Sequence, residues 1–449
     1  MADVSPARRA AFRILLAVER DQAHADDLLR GDAVDALSPA DRNLTTALVL
    51  GALRWQMLLD EQIKAFLTRP GAKLDLEVLA ALRLGAFQLL FLDRIPAHAA
   101  ISESVELVKQ AGHRFASGMV NAVLRKIAGA SHTDFSKSVA QSHPAWLVER
   151  WSAHYGQDTA CAICEHGQTQ TVMSVRLQSP AVEAELTRDR IQLEPGNLLT
   201  SARIIISGDV TATAAFREGR ARIQDEGSQL IAEIAACAGE SLRPRVKGIL
   251  DTCAAPGGKT LILAGRNPEA RVVACEASPR RFAQMRERLA PYAGQIDCRL
   301  MDATQLDEVG VFDLALADVP CSGTGTLGRN PEIRYRLHAE DLSRHAERQK
   351  EILRAAIRAV RPGGMVVYST CSLEPEENEL VIADVVANTS GVRTISLGEC
   401  LHALTKNGVL APNSVDRLRA CLTPQGALRL LPGTLHTDGF FVAVLEKSI

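Results

Sequence analysis

The fold of this chain is decided by the stretch Ile249-Leu250-Asp251-Thr252-Cys253-Ala254-Ala255-Pro256-Gly257-Gly258-Lys259-Thr260. Its apolar start predicts a β-strand, its Pro-Gly-Gly centre predicts a tight turn, and the residues after the glycines predict the start of a helix. From here to residue 368, apolar strand-like runs alternate with helical patterns. Such alternation is typical of an α/β fold with a doubly wound, mostly parallel sheet.

The same criteria predict the other elements of this sheet. We expect strands at 248–251, 271–275, 297–300, 312–317 and 364–368, helices at 258–264, 279–290 and 338–360, and a closing strand at 439–445. The segment from 391 to 422 is polar and is expected to be irregular.

Two cysteines follow predicted strands of this sheet. The run Asp318-Val319-Pro320-Cys321-Ser322-Gly323-Thr324-Gly325 comes after the strand at 312–317, and Tyr368-Ser369-Thr370-Cys371-Ser372 comes at the end of the strand at 364–368. The carboxyl ends of parallel strands meet at one edge of a sheet, where α/β proteins bind ligands. We therefore expect both cysteines and the glycine turn to lie at the same edge.

The glycine turn carries no phosphate-binding code, since it matches neither GxGxxG nor GxxxxGK[ST]. A broad turn of this kind suits S-adenosylmethionine, whose carboxylate can bind helix N-terminal amides. Glu276, after the next strand, has the spacing of a ribose-binding carboxylate, and Asp302, after the third strand, can accept from an adenine amino group. The alternative for Asp302 is an exposed turn aspartate.

A thiol in the turn after a strand points to a carbon atom as the methyl acceptor. A thiolate that adds to C6 of cytosine turns the ring into an enamine, whose C5 can attack a sulfonium methyl group. Asp318, held protonated or sharing a proton with N3, favours the addition by neutralising charge on the ring. The C5 proton must leave before the thiolate is expelled, and a second cysteine can assist that step. Either cysteine alone could be structural, but the two together indicate a reactive pair.

Residues 6–128 are helical throughout, because apolar residues recur at spacings of three and four. Ser38-Pro39-Ala40-Asp41 has the form of a capping box with proline at the first helical position. The stretches 99–110 and 118–127 resemble the NusB-like RNA-binding domain. The alternative is a generic helical bundle with solvated basic faces.

Residues 131–222 change to short mixed elements, with a helix at 143–151, a strand at 172–177, a helix at 180–191 and a strand at 202–207. This pattern predicts a small α+β module. Cys161-Ala162-Ile163-Cys164 has the spacing of redox or zinc sites, but structural zinc needs four ligands and the sequence has no second pair at a suitable distance. We therefore expect two thiols on one helix face and no metal.

Local basic segments are the candidates for RNA contact. Gly328-Arg329-Asn330-Pro331-Glu332-Ile333-Arg334-Tyr335-Arg336 places basic residues around one aromatic side chain. Such a segment can hold a phosphate backbone while Tyr335 stacks on a base. Arginines of the helix at 338–360 alternate with glutamates, so a solvated face is the alternative reading there.

Composition and charge exclude few classes of protein. The chain has 449 residues, a net charge of −2 and 47% hydrophobic residues, which suits an ordinary soluble protein. Because no global positive field exists, RNA binding must come from local patches. The N-terminus carries no export signal and no run reaches the ~18 apolar residues of a membrane span, so we expect a cytoplasmic protein with reduced thiols.

The combined motifs resemble those of the RNA (cytosine-5)-methyltransferases, and the whole chain is similar to the RsmB/Sun (Fmu) family that methylates small-subunit ribosomal RNA. The matching motifs are 251–260, 318–325 with 329–334, 370–378 and 438–441. The resemblance implies Cys371 as the nucleophile and Cys321 as the group that assists product release. It places the following residues around S-adenosylmethionine: Cys253, Ala254, Ala255, Pro256, Gly257, Gly258, Lys259, Glu276, Asp302 and Asp318. Two features depart from the family pattern: Glu276 stands where aspartate is more frequent, and 397–422 does not match.

The sequence thus predicts three parts: an all-α NusB-like domain at 5–130, a small α+β RNA-binding module at 131–222, and a Rossmann-like class I S-adenosylmethionine-dependent methyltransferase domain at 223–449. The expected product is 5-methylcytosine in 16S ribosomal RNA, with neither DNA nor a membrane as partner. Two alternatives stay open. One is the same chemistry on transfer RNA, and the other is a non-catalytic RNA-binding factor built on the NusB-like domain.

Overall fold

The computed structural model describes residues 4–21, 23–71, 73–130, 139–242 and 245–448. The chain forms two compact units: the first comprises Met1–Gln170 with Leu327–Arg336, and the second comprises Thr171–Thr326 with Leu337–Ile449. Within the described ranges, no helix is both long and apolar enough to span a bilayer.

The first unit is helical, as predicted. Ser38 caps its fourth helix by accepting from the Asp41 amide at 3.2 Å, with Pro39 at the first helical position. The central helix of this unit is buried along nearly its whole length and packs against its neighbours on several sides. The helices are α1 (Pro6–Asp21), α2 (Ala25–Leu29), α3 (Asp32–Asp35), α4 (Pro39–Arg54), α5 (Gln56–Phe66), α6 (Leu76–Phe91, the central helix), α7 (Ala97–Gln110), α8 (Ser117–Gly129), α9 (Ala145–Tyr155) and α10 (Gln157–Gln168).

The second unit begins with a small α+β module. Its elements are β1 (Ser174–Leu177), α11 (Pro180–Arg188), β2 (Gln192–Pro195), β3 (Ala202–Ser207), α12 (Ala214–Arg217) and β4 (Ala221–Ile223). The strands form an antiparallel sheet in the order β2-β3-β1-β4. The predicted strands and the predicted helix at 180–191 are present. The predicted helix at 143–151 is also present, as α9, but it belongs to the first unit. Residues 131–138 of the predicted module lie outside the described residues.

The larger domain of the second unit carries a mixed sheet between helices. Its elements are α13 (Glu226–Glu240), β5 (Gly248–Asp251), α14 (Gly258–Arg266), β6 (Arg271–Glu276), α15 (Pro279–Leu289), β7 (Ile296–Leu300), β8 (Phe312–Asp318), α17 (Ala339–Ala359), β9 (Val360–Thr370), α18 (Glu379–Ala387), β10 (Val392–Ile395), α19 (Leu397–Lys406), α20 (Val415–Arg419), β11 (Leu428–Leu430) and β12 (Phe440–Lys447). Helix α16 (Ile333–Arg336) also falls in this part of the sequence but belongs to the first unit.

The strand order confirms the predicted doubly wound sheet. It runs β10-β12-β9-β8-β5-β6-β7, with β11 also paired to β12. The strands from β9 to β7 are parallel, while β12 is antiparallel to both of its neighbours in the order. The chain winds outwards from β5 to β7 on one side and through β8 and β9 on the other. The β5/β8 junction is therefore the switch point where such sheets bind ligands.

The expectation that 391–422 is irregular is wrong. This segment contains β10, α19 and α20, and β10 pairs with β12. In α19 the buried residues Leu397, Leu401 and Leu404 recur at helical spacing and form one apolar face. The polar residues between these leucines obscured the helical pattern in the sequence, because a half-exposed helix needs only a narrow apolar stripe.

The segment Leu327–Arg336 is anchored within the helical unit. The fully buried guanidinium of Arg334 donates to the carbonyl oxygens of Arg54 and Ser142, both at 3.2 Å, and of Gly167 at 3.1 Å. The Tyr335 hydroxyl donates to the Leu53 carbonyl at 2.7 Å. The carbonyls of Leu53 and Arg54 lie at the end of α4, where helices lack internal donors. The expectation that Arg334 and Tyr335 bind RNA is therefore wrong, since both side chains satisfy helix ends.

Candidate active site

The two cysteines meet at the carboxyl edge of the sheet. Strands β8 and β9 are parallel neighbours in which Asp318 pairs with Ser369, so the turns that follow them start side by side. Cys321 lies in the turn after β8, and Cys371 directly follows β9. Their Sγ atoms are 3.4 Å apart. The register of two parallel strands thus creates the thiol pair.

The two thiols of this pair are not equivalent. The pKa of Cys321 is raised well above that of an ordinary thiol, chiefly by its hydrogen bond with Cys371 and then by burial, with the nearby charges of Cys371 and Glu377 adding to the effect. Cys321 is therefore harder to deprotonate than an ordinary thiol.

Close backbone contacts fix the cysteine turns. The Gly325 amide donates to the Cys371 carbonyl at 2.9 Å, and the Gly439 amide donates to the Gly325 carbonyl at 2.7 Å. A Cβ atom on Gly325 would clash with the Gly439 carbonyl. Thr324 adds a side-chain contact, because its hydroxyl accepts from the Leu373 amide at 2.9 Å. Glycine is therefore required where three chain segments cross.

Asp318 joins the cysteine turns to the glycine turn. Its Oδ2 accepts from Lys259 Nζ at 2.7 Å, and its Oδ1 accepts from the Ser369 hydroxyl at 2.7 Å. Burial alone would lower the pKa of Lys259, but the charge and hydrogen bond of Asp318 outweigh it and raise that pKa. Lys259 is accordingly a fixed cation between the two turns.

The glycine turn links β5 to α14. Gly257 has a φ of 95°, a left-handed conformation that favours glycine, and it caps a helix whose first amides face the sheet edge. At the end of β5, Asp251 Oδ2 accepts from the Thr260 hydroxyl at 2.7 Å. Its buried Oδ1 finds no hydrogen-bond partner among the described residues. Burial raises the pKa of Asp251 to about 7.

The rest of the predicted turn packs between β5 and α14. The Ala254 amide donates to the Cys275 carbonyl at 2.8 Å, and the Ala255 carbonyl accepts from Arg281 at 2.9 Å. Cys253 precedes them, and burial raises the pKa of its thiol. Ala255 and Pro256 are joined by a cis peptide bond. Hydrogen bonds thus hold this turn against β6 and α15.

Glu276 and Asp302 follow β6 and β7 at the same edge. Glu276 is nearly buried, accepts from the Ser278 amide at 2.8 Å, and has its second oxygen 3.5 Å from Arg281. Asp302 caps a short 3₁₀ helix through Thr304 and accepts from Arg348 at 2.8 Å. Burial opposes ionisation of Asp302, but these hydrogen bonds lower its pKa. An adenine amino group at Asp302 would share that carboxylate with Arg348.

A buried acid beneath the cysteines was missed from the sequence. Glu377 is fully buried and accepts hydrogen bonds from Ser322, Ser372 and Gln349. Glu377 lies inside the matching motif 370–378, which assigned it no role, and inside the acidic run at 374–379, which has the composition of an exposed turn. Nothing in that run distinguishes the buried glutamate from its neighbours.

The CxxC pair lies elsewhere, in the helical unit. Cys161 and Cys164 are free thiols on α10, and burial raises the pKa of Cys164 to about 12. Across the described residues, no group of three or more His, Cys, Asp or Glu side chains is placed to hold a metal ion.

Family models match three successive parts of the chain. They are the NusB family at residues 5–129, the ferredoxin-like domain of RsmF/B-like methyltransferases at 143–206, and 16S rRNA methyltransferase RsmB/F at 241–446. The fold and the edge site thus define a Rossmann-like methyltransferase domain preceded by a ferredoxin-like module and a NusB-like helical domain.

Full-length relatives agree with these matches. The chain is 32% identical to the probable ribosomal RNA small subunit methyltransferase B of Bacillus subtilis, over 98% of each chain. It is also 32% identical to the ribosomal RNA small subunit methyltransferase B of Pseudomonas putida, again over 98% of each chain. The chain belongs to the RsmB/F family of 16S rRNA methyltransferases.

Two solved structures share the fold over all or most of this chain. The crystal structure of PH0851 superposes with a TM-score of 0.79 over 99% of this chain and 100% of that chain, at 23% identity. A methyltransferase homologue from Pyrococcus horikoshii superposes with a TM-score of 0.54 over 71% of this chain and 100% of that chain, at 24% identity. These likenesses concern the fold.

Proposed function

We propose that this protein transfers the methyl group of S-adenosylmethionine to C5 of a cytosine in 16S ribosomal RNA, through a covalent bond between Cys371 and C6 of the base. The observation that carries the proposal is the pair of Cys321 and Cys371 sulfurs, 3.4 Å apart at the ligand-binding edge of the sheet. Methylation at nitrogen needs no thiol. Two thiols suit a carbon that must first be activated and then released.

The proton on Cys321 supports Cys371 as the nucleophile. The raised pKa of Cys321 disfavours Cys321 as the attacking thiolate, so we assign the attack on C6 to Cys371. Asp318, at the end of β8, shares a proton with N3 of the base, and that proton neutralises the negative charge that develops on the ring. The electron pair of the C5–C6 double bond then takes up the methyl group at C5.

Bond formation at Cys371 then prepares Cys321 for the second step. Once Cys371 is bonded to C6, it no longer makes the thiol–thiol hydrogen bond that is the main cause of the raised Cys321 pKa. Cys321 can release its proton to solvent and accept the C5 proton. The electrons of the C5–H bond reform the double bond, and Cys371 leaves as a thiolate.

The residues of the edge fit S-adenosylmethionine, which supplies an electrophilic methyl group on a sulfonium. The unpaired Asp251 Oδ1 can accept from an ammonium group, and the first amides of α14 can hold a carboxylate. Glu276 can accept from ribose hydroxyls, and Asp302 can accept from the adenine amino group. Residues 253–259 and Asp318 complete the set that we assign to the cofactor.

The relatives favour ribosomal RNA as the substrate. Those reported above are named for the small ribosomal subunit, and the NusB-like and ferredoxin-like parts are the proposed RNA-binding elements. We retain the order of three parts, at 5–130, 131–222 and 223–449, which the order of the three family-model ranges supports. The compact units divide the chain differently, because α9 and α10 belong to the first unit. A target cytosine must be unpaired or flipped out, because C5 and C6 react only when the ring face is free.

The assay uses labelled S-adenosylmethionine with unmodified 16S ribosomal RNA and, in parallel, transfer RNA, followed by digestion to nucleosides. We expect label in 5-methylcytosine from the 16S RNA. Label only in transfer RNA would support the proposed chemistry but show that transfer RNA, and not 16S RNA, is the substrate. Cofactor binding without transfer to either RNA would favour a non-catalytic RNA-binding factor.

A further inference from the structure

Glu377 lies directly beneath the two cysteine turns. It ends the short 3₁₀ helix Pro375–Glu377, just after the Cys371 turn, and its side chain is fully buried. Its carboxyl oxygens accept from the Ser322 amide at 2.8 Å, the Ser372 hydroxyl at 2.5 Å, Gln349 Nε2 at 2.9 Å and the Ser322 hydroxyl. All four donors are neutral groups.

The contacts of Glu377 reach both cysteines through their next residues. Ser322 follows Cys321 and Ser372 follows Cys371, and the two hydroxyls lie 3.0 Å from each other. A single carboxyl oxygen, Oε2, accepts from both hydroxyls. Glu377 thus joins two turns that are 50 residues apart in the sequence.

The network is anchored on the helix and strand behind it. Gln349 of α17 donates to Glu377 and also to the carbonyl of Pro320, the residue before Cys321, at 3.0 Å. The Tyr368 hydroxyl of β9 donates to the Glu377 backbone carbonyl at 2.5 Å. Pro320 and Ser322, the residues on either side of Cys321, are therefore both hydrogen-bonded to the network around Glu377.

A buried carboxylate with only neutral donors is a costly way to join two loops. Removal from water penalises the charge, and apolar packing of the same volume is often at least as stable. Stability alone therefore gives little reason for an acid here. A fixed acceptor for the serines that follow both cysteines gives a better reason, because a misplacement of about 1 Å in a reacting group can cost about 10²-fold in rate.

We propose that Glu377 is the positioning residue that sets the separation of the Cys321 and Cys371 sulfurs. It acts through Ser322 and Ser372 and touches no substrate. The inference rests on the proposed function for its effect on catalysis, whereas its effect on the thiol separation can be measured without RNA or cofactor.

The first test is oxidative crosslinking of the full-length protein. Diamide removes one electron and one proton from each thiol, forms an S–S bond, and is itself reduced to the hydrazine. Sulfurs at 3.4 Å need only a small approach to reach the ~2.05 Å of a disulfide. We expect the Cys321–Cys371 disulfide, followed by peptide mass spectrometry, to form about tenfold more slowly in Glu377→Gln than in the wild type.

The second test is steady-state methyl transfer. We expect Glu377→Gln to lower kcat by about 10²-fold with little change in KM for S-adenosylmethionine, because the cofactor residues are not part of the network. Glu351→Gln on the exposed face of α17 makes the same chemical change elsewhere and serves as the control. Circular dichroism verifies that each variant is folded.

A variant with a milder change covers the case in which Glu377→Gln does not fold. Ser322→Ala keeps the carboxylate and removes one donor, and it should slow crosslinking in the same direction. Wild-type crosslinking and kcat in folded Glu377→Gln, or in Ser322→Ala if the first is unfolded, would overturn the inference. Slowed crosslinking in a protein whose wild type methylates no RNA would leave the positioning role standing and reject the proposed function.

Discussion

The Sγ atoms of Cys321 and Cys371 lie 3.4 Å apart although 50 residues separate them in the sequence. The parallel register of β8 and β9 places the two turns side by side. The hydrogen bond with Cys371 and burial raise the pKa of Cys321, which disfavours Cys321 as the thiolate of the pair. This asymmetry is the basis for the assignment of roles.

Replacement of either cysteine should trap the reaction at a different stage. Cys321→Ala removes the group that takes the C5 proton, so we expect a covalent protein–RNA adduct that survives denaturing electrophoresis. Cys371→Ala removes the nucleophile, so we expect neither adduct nor product. An adduct in Cys371→Ala and none in Cys321→Ala would exchange the two roles.

The alkylation rate of Cys321 reports on its proton. Because the hydrogen bond to Cys371 is the main cause of its raised pKa, Cys371→Ala should lower that pKa. We expect iodoacetamide at pH 8 to modify Cys321 about tenfold faster in Cys371→Ala than in the wild type, as measured by peptide mass spectrometry. Cys421→Ala, which removes a thiol elsewhere, should leave the rate unchanged. Equal rates in all three proteins would contradict the assignment of the proton.

The buried Asp251 should give the second unit a distinctive pH dependence. Its folded-state pKa of about 7 exceeds the ~3.9 of the unfolded chain. Its contribution to stability is therefore fully present below about pH 4 and is lost as the pH rises towards 7. Asparagine does not titrate, so this loss is absent in Asp251→Asn. We expect the free energy of unfolding of Asp251→Asn, relative to that of the wild type, to rise by about 2 kcal/mol from pH 5 to pH 8.

Urea unfolding followed by circular dichroism measures this difference. The control is Asp416→Asn, because the Asp416 side chain is 96% exposed and should show no such gain. A free-energy difference between Asp251→Asn and the wild type that stays constant from pH 5 to pH 8 would mean that Asp251 is ionised in the folded protein.

Arg334 should be essential for the stability of the helical unit. Arg334→Met leaves the carbonyls of Arg54, Ser142 and Gly167 without these donors in the interior, and we expect a loss of about 3 kcal/mol. The tryptophans, Trp55, Trp146 and Trp151, all lie in the first unit, so their fluorescence during urea unfolding reports on that unit. The exposed Arg94→Met is the control. A loss no larger than that of the control would show that Arg334 is dispensable.

The sequence was sufficient for the elements whose signal is local. Strands β5, β6, β8 and β9 contain buried apolar runs, and the cysteines follow β8 and β9, so topology alone brings the cysteines to one edge. The local signal was too weak for α19, whose apolar stripe is narrow. No local sequence signal indicated the structural role of Arg334, because the Arg54 carbonyl that accepts its hydrogen bond is 280 residues away in the chain.

The same limit explains the missed glutamate. Composition places charged residues at the surface, and only the three-dimensional meeting of Ser322, Ser372 and Gln349 makes a buried site for Glu377. A charged residue whose partners come from distant segments can be located only once those segments are packed.

The most direct test of the central claim uses RNA that contains 5-fluorocytidine, because fluorine at C5 cannot leave as a proton and the adduct cannot resolve. We predict that the wild-type protein, incubated with S-adenosylmethionine and this RNA, gives a stable adduct that peptide mapping assigns to Cys371. An adduct at Cys321 would reverse the roles of the two thiols. Methyl transfer to normal 16S RNA without any trapped adduct would contradict the covalent mechanism.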